Sequence, residues 1–371
     1  MMRIGKFTDF YRDVTKAGTK IPQEKYLKVG HYPVIDQGRQ AIVGRWDSDD
    51  GICKEIPAII FGDHTRAIKY IEEPFFIGAD GVKILRPVNV QDNPKYLYYA
   101  LQAARIPNLG YSRHFKALKE LDFHVCSIEK QDEIVRILEK IDYLIEQCHE
   151  EDSCLNQIVK SRFIELFGNP ITNEMCWNQV PLFTCVESID NGKSFVCDSE
   201  ARQGTSPAVL KLSAATYGDY RPEENKAILD DKQFVEEAAV HSGDLLFTRK
   251  NTPELVGMCA YVYKTPVGLM MPDLIFRLNT TESCNKIFLW KLINHDLFRG
   301  CIQAIATGSA KSMSNISKER LLKIKVILPP IELQKQFAAF VAQIDKSKLA
   351  VQQGLQELET LKKSLMQQYF S

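Results

Sequence analysis

A stretch of about forty residues occurs twice in this chain without a gap, shifted from 128 to 331 and from 141 to 344 alike. Ile128-Glu129-Lys130-Gln131 returns as Ile331-Glu332-Leu333-Gln334, and Ile141-Asp142 as Ile344-Asp345. Leu155 returns as Leu358, Lys160-Ser161 as Lys363-Ser364, and Phe167 as Phe370. An internal repeat constrains architecture before any local reading does. The chain must be organised twice around one element.

The spacing of apolar residues says what that element is. Steps of four and three from position 134 meet Ile134, Leu138, Ile141, Ile145, Cys148, Asp152, Leu155, Val159, Arg162 and Leu166; the same steps from 337 meet Phe337, Val341, Ile344, Lys348, Val351, Leu355, Leu358, Lys362, Leu365 and Tyr369. A sustained 3.5-residue period is a coiled-coil seam. Gly168 and Pro170 stop the first helix. At about 1.5 Å per residue, a helix of about 38 residues is about 55 Å long, more than one block of this size would cover. The expected arrangement is antiparallel pairing of the two helices within one chain, with Asp152 beside Lys348.

The helices close two large blocks, giving expected domains of 1–127 and 169–330, with helical segments 128–168 and 331–371. The blocks do not share the close similarity of the helices. Block one has short strand-like runs at Tyr32–Ile35, Ala58–Phe61, Phe75–Ile77 and Val82–Leu85, then a helix around Lys95 to Ala104. Block two has them at Val209–Leu212, Asp244–Phe247 and Leu274–Leu278, then a helix around Lys286 to Arg299. Each ends in a Gly-containing loop, Leu109–Arg113 or Thr307–Lys311, then a short helix and a strand entering the long helix. The fold class is α+β, two mixed α/β domains separated by an intramolecular antiparallel coiled coil.

Net charge is zero overall, yet block one carries nineteen Lys+Arg against fifteen Asp+Glu and the helix after it five against ten. No block is basic enough for tight, sequence-independent binding to nucleic acid alone. The ten cysteines form no C-x-x-C pair or zinc-spaced cluster and read as reduced, mostly buried thiols. No apolar run nears the roughly 18 residues that span a bilayer, and Met1 to Thr8 lacks a charged-then-apolar pattern, so a cytoplasmic location is expected.

Five stretches together resemble the recognition-domain and helix motifs of type I restriction-modification specificity subunits. They are Tyr32-Pro33-Val34-Ile35-Asp36-Gln37-Gly38, Ile59-Ile60-Phe61-Gly62-Asp63-His64-Thr65-Arg66, Gly243-Asp244-Leu245-Leu246-Phe247-Thr248-Arg249, Pro272-Asp273-Leu274-Ile275-Phe276-Arg277 and Leu328-Pro329-Pro330-Ile331-Glu332-Leu333-Gln334. Cys126-Ser127 departs from this pattern, standing where the second copy has Pro329-Pro330. The resemblance implies a chain without chemistry of its own, in which two target-recognition domains each read half of a bipartite, asymmetric site in double-stranded DNA. It also implies that the helices space the readers and dock two methyltransferase and two restriction subunits. S-adenosylmethionine, ATP and Mg would bind those partners, and this chain would hold no cofactor or metal.

Base reading needs bidentate side chains on loops. The candidates are Gln37, Arg39, His64, Thr65, Arg66 and Arg113 in block one, and Arg249, Lys250, Asn251, Thr252, Ser309, Lys311 and Ser312 in block two. Against this, Asp63, His64 and Arg66 could form a local turn network and Asp36-Gln37-Gly38 a simple turn. No cofactor glycine loop, Asn/Asp-Pro-Pro-aromatic clamp, phosphate loop or clustered carboxylates argue for an enzyme. The alternative reading is a coiled-coil adaptor that binds only protein.

Overall fold

The computed structural model describes residues 2–78, 80–110, 112–308 and 313–370. The chain forms two compact units, one of Met1–Glu150 with Gln352–Ser371 and one of Glu151–Val351. Candidates Ser309, Lys311 and Ser312 lie outside the described residues.

In the first unit, Ala58–Gly62 is one of the two inner strands of a four-stranded antiparallel sheet ordered Tyr11–Asp13, Val82–Pro87, Ala58–Gly62, Ile68–Ile71. Its run of apolar residues follows from burial on both faces. Ile59 and Phe61 enter one core with the helix Pro94–Ala103, while Ala58 and Ile60 enter another with Val82 and Ile84. A three-stranded sheet of Gly44–Trp46, Tyr32–Ile35 and Phe76–Ile77 lies beside it in the chain's order. Arg3–Lys6 pairs with Asp122–Val125, the strand that enters the long helix, and so closes the block.

The second unit repeats the four-stranded sheet, the three-stranded sheet and the closing ribbon in the same order, and adds a two-residue ribbon of its own. Its four-stranded sheet runs Val186–Asn191, Ile275–Thr280, Leu245–Thr248, Cys259–Tyr261, and its three-stranded sheet runs Asn225–Ala227, Ala208–Leu210, Leu269–Met270. Asn178–Pro181 pairs with Lys325–Leu328 as the closing ribbon. Leu245 and Phe247 face one core and Leu246 the other, the same alternation as in Ala58–Gly62. Blocks that look unrelated in sequence are therefore one fold used twice.

The expectations for one helix and for the cysteines change. The single helix around Lys286 to Arg299 is two helices, Lys286–Asn294 and Asp296–Ala304. His295 is extended between them (φ −66, ψ 130) and its ring accepts the Leu297 N–H, so it caps the second helix instead of continuing the first. The cysteines are free, but only Cys53, Cys126, Cys185, Cys259 and Cys284 are buried, and Cys154 and Cys176 are exposed.

The long helices are Ile128–Phe167 and Ile331–Phe370. The fourteen apolar seam positions Ile134, Leu138, Ile141, Ile145, Leu155, Val159, Leu166, Phe337, Val341, Ile344, Val351, Leu355, Leu358 and Leu365 are all buried or half-buried. In the first unit, Lys362 pairs with Asp142 at 2.5 Å, and Leu365, Tyr369 and Phe370 pack on the core that holds Ile134 and Leu138. In the second, Phe163 and Phe167 meet Phe337 edge-on.

The partner expected for Lys348 is corrected. Its Nζ donates to Asn156 Oδ1 at 3.0 Å, while Asn156 Nδ2 donates to Asp152 Oδ2 at 3.1 Å. Helical side chains lean toward their own N-terminus, so the lysine reaches one turn farther along an antiparallel neighbour than its Cα level suggests. A double-mutant cycle should find a coupling of about 1 kcal/mol between Lys348 and Asn156 and a smaller one between Lys348 and Asp152; the reverse order would refute this pairing.

Candidate nucleic-acid interface

In the first unit, three segments converge after the strand Ala58–Gly62. Asp63 is 4% exposed; its Oδ1 accepts the Phe115 N–H at 2.7 Å and its carbonyl accepts the His114 N–H at 2.8 Å. His114 Nε2 in turn accepts the Leu109 N–H at 3.2 Å. Asp63 and His114 thus tie Leu109 and Phe115, on either side of the Gly-containing segment, to the post-strand loop. Gln37 joins from the bend after the strand Tyr32–Ile35, its Oε1 accepting the His64 N–H at 3.2 Å and its carbonyl accepting the Thr65 hydroxyl. Arg66 has a left-handed backbone (φ 59) and donates to the Ile106 carbonyl at 3.3 Å. A non-glycine residue held in that region is uncommon and marks a loop fixed by its surroundings.

The turn at Asp36-Gln37-Gly38 is also closed locally, since Gly38 N–H donates to Asp36 Oδ1 at 2.8 Å. Lys69, 9% exposed, hydrogen-bonds Asp36 at 3.2 Å; burial lowers the lysine's pKa, and Asp36 opposes the shift. Thr65, Arg39 and Arg113 remain exposed.

The second unit builds the equivalent junction differently. Lys250–Asn251 forms a two-residue ribbon with Ser314–Asn315, fastening the post-strand loop to the residues that follow the terminal loop. Arg249 aims Nε and Nη2 at Asn315 Oδ1, both 3.3 Å away, with its guanidinium 4.9 Å from the Phe276 ring centroid. Asn251 is 7% exposed and donates to Thr216 Oγ1 at 3.0 Å, so its carboxamide faces inward and holds the loop. Thr252 is exposed, and Lys250 stands 3.9 Å from Asp273 Oδ2.

Asp80 and Asp273 were not among the sequence candidates, yet they occupy equivalent places. Each lies three residues past a two-residue strand, Phe76–Ile77 or Leu269–Met270, and two before the next long strand. Each pairs with a lysine from a different loop, Lys20 or Lys250. The Lys20 hydrogen bond holds the Asp80 carboxyl below the usual carboxylate range. An Asp shortly before a long apolar run, Asp80 before Val82 and Asp273 before Ile275, was the sequence feature that could have revealed them.

Among the described residues, no group of three or more His, Cys, Asp or Glu is placed to hold a metal ion. No helix among them is long and apolar enough to cross a membrane.

Two blocks of one topology, each gathering polar loops and each finished by a copy of one helix, define a duplicated recognition scaffold. The chain belongs to the type I restriction modification DNA specificity domain family, whose model matches residues 3–153 and 186–360. It is 29% identical over 160 residues to the specificity subunit of the type I restriction enzyme EcoEI from Escherichia coli, a match spanning 43% of this chain but only 27% of that protein. It is 21% identical to the MjaVIII specificity subunit from Methanocaldococcus jannaschii over 99% of this chain and 90% of that one. The type I restriction-modification S subunit from M. genitalium has a similar fold, with a TM-score of 0.62 at 13% identity, covering 100% of this chain and 96% of that one. Subunits of this family confer specificity and are not catalytic themselves.

Proposed function

We propose that this chain is the DNA-reading subunit of a type I restriction-modification enzyme, in which residues 1–127 and 169–330 are target-recognition domains. Segments 128–168 and 331–371 would form an intramolecular antiparallel coiled coil that spaces them. Because the two readers differ in their loops, the site they specify is bipartite and asymmetric. Two methyltransferase and two restriction subunits complete the enzyme in the cytoplasm and bring S-adenosylmethionine, ATP and Mg; linkage of two weak readers offsets their modest charge. The observation that carries this reading is the twice-built junction of a post-strand loop with the residues that follow the Gly-containing segment, around Asp63 and His114 in one block and Lys250 and Asn315 in the other.

The reading loops are those of Gln37, Arg39, His64, Thr65, Arg66 and Arg113, and of Arg249, Lys250, Thr252, Ser309, Lys311 and Ser312, with Asn251 as support. Exchanging residues 249–252 for another loop, in complex with the methyltransferase partner, should change the methylated sequence at one half-site only. Sequencing of N6-methyladenine reads the outcome, and an unchanged site would remove this loop from the assignment. Absence of any sequence-selective mobility shift with that partner would favour the protein-only adaptor.

A further inference from the structure

Gln131 and Gln334, equivalent members of the repeated Ile-Glu-x-Gln motif, are both 0% exposed. A buried carboxamide is costly unless its donors and acceptor are all engaged, and here they are engaged alike in two blocks of unlike sequence. Gln131 Oε1 accepts the Asn93 N–H at 2.8 Å, and Gln334 Oε1 accepts the Asn285 N–H at 2.8 Å. Asn93 and Asn285 are the residues whose side chains cap the domain helices Pro94–Ala103 and Lys286–Asn294. Each Nε2 also donates to the carbonyl five residues earlier, Cys126 at 3.0 Å or Pro329 at 2.7 Å, where the closing strand turns into the long helix. Its second donated bond goes to Asp92 Oδ1 at 2.9 Å or to the Ser283 carbonyl at 3.1 Å.

The neighbours differ between the copies, Cys126 against Pro329 and Asp92 against Ser283, while the three-point geometry is the same. Apolar packing would bury this position without fixing direction, whereas three hydrogen bonds to the turn and the helix cap fix it. We propose that Gln131 and Gln334 are positioning residues of DNA recognition, each latching its block to the first turn of the long helix and setting the angle at which that block presents its loops. This rests on the DNA-reading function proposed above.

The test uses the complex with the methyltransferase subunits and a library of bipartite sites whose central gap is varied by one base pair either way. Gln334→Met keeps the shape and removes the bonds. It should lower methylation at the native gap relative to the altered gaps by about tenfold, the loss of roughly one net hydrogen bond's discrimination, while the bases read in each half-site stay the same. Gln131→Met should do likewise. Asn285→Ala, which removes the helix cap but leaves the backbone N–H that Gln334 accepts, should lower thermal stability and keep the gap preference. Unchanged gap preference in both Gln variants, or equal relaxation in Asn285→Ala, would overturn the proposal. If the wild-type complex methylates no bipartite site, it is the DNA-reading function that fails.

Discussion

Phe337→Ala should destabilise the protein by about 3–5 kcal/mol, the range for truncating a fully buried aromatic residue. The side chain is 0% exposed, and its ring stands 5.6 Å from Phe163 and 5.4 Å from Phe167, both edge-on. Those two rings pack in turn on Phe288 of the helix Lys286–Asn294, at 5.8 and 4.9 Å. The cluster therefore joins both long helices to the core of the second block, and edge-to-face geometry adds to its area burial. Leu358→Ala, at a half-buried seam position, should cost only about 1 kcal/mol because less apolar surface is lost. Denaturant unfolding of the two variants decides the matter: equal midpoint shifts would mean that the seam, and not the aromatic cluster, holds the helices.

The contrast explains what the sequence could show. The long helices were legible because a 3.5-residue period repeated over forty residues has few other meanings. That stepping selected Arg162 and Leu166, which are half-buried, and passed over Phe163 and Phe167, which are 1% and 0% exposed. A helix end that touches both a partner helix and a folded block needs a wider apolar face than a two-helix seam, and only the block's position reveals it. The inner strands were legible as apolar runs between turn residues, but their common topology was not, since it lies in pairings such as Val34 with Phe76 and Val209 with Met270.

The candidate loops were chosen from their polar residues following strands. Which side chain faces outward was not legible, because the answer depends on distant partners. Asn251 turns inward to Thr216, and Asp63 is consumed by His114 and Phe115. Even the Lys348 contact, argued from register, missed by a turn because the direction of a side chain along its helix is a three-dimensional property.

Arg277→Met is the second change expected to be large, at about 3 kcal/mol or more, because it strands a buried carboxylate. Arg277 Nε lies 3.0 Å from Asp244 Oδ2, and the two side chains are only 11% and 10% exposed. The same guanidinium reaches Asp190 at 3.5 Å and the Glu237 carbonyl at 3.4 Å, so one residue of the strand Ile275–Thr280 ties together three other segments. Asp244 Oδ2 also accepts the His241 N–H at 2.8 Å. Asp244→Asn in the Arg277→Met background removes the unpaired charge while leaving an oxygen for that N–H, and should restore about half of the loss. Strictly additive losses in the double variant would show that the ion pair is not what the single change breaks. Asp244 and Arg277 belong to two of the motif stretches by which the sequence resembles its family, and their burial against one another makes those motifs part of the frame. Arg277→Met should accordingly lower the unfolding midpoint and, on the DNA-reading function proposed above, leave unchanged the bases methylated by the complex at any temperature where the variant is folded, which separates the frame from the loops proposed to read.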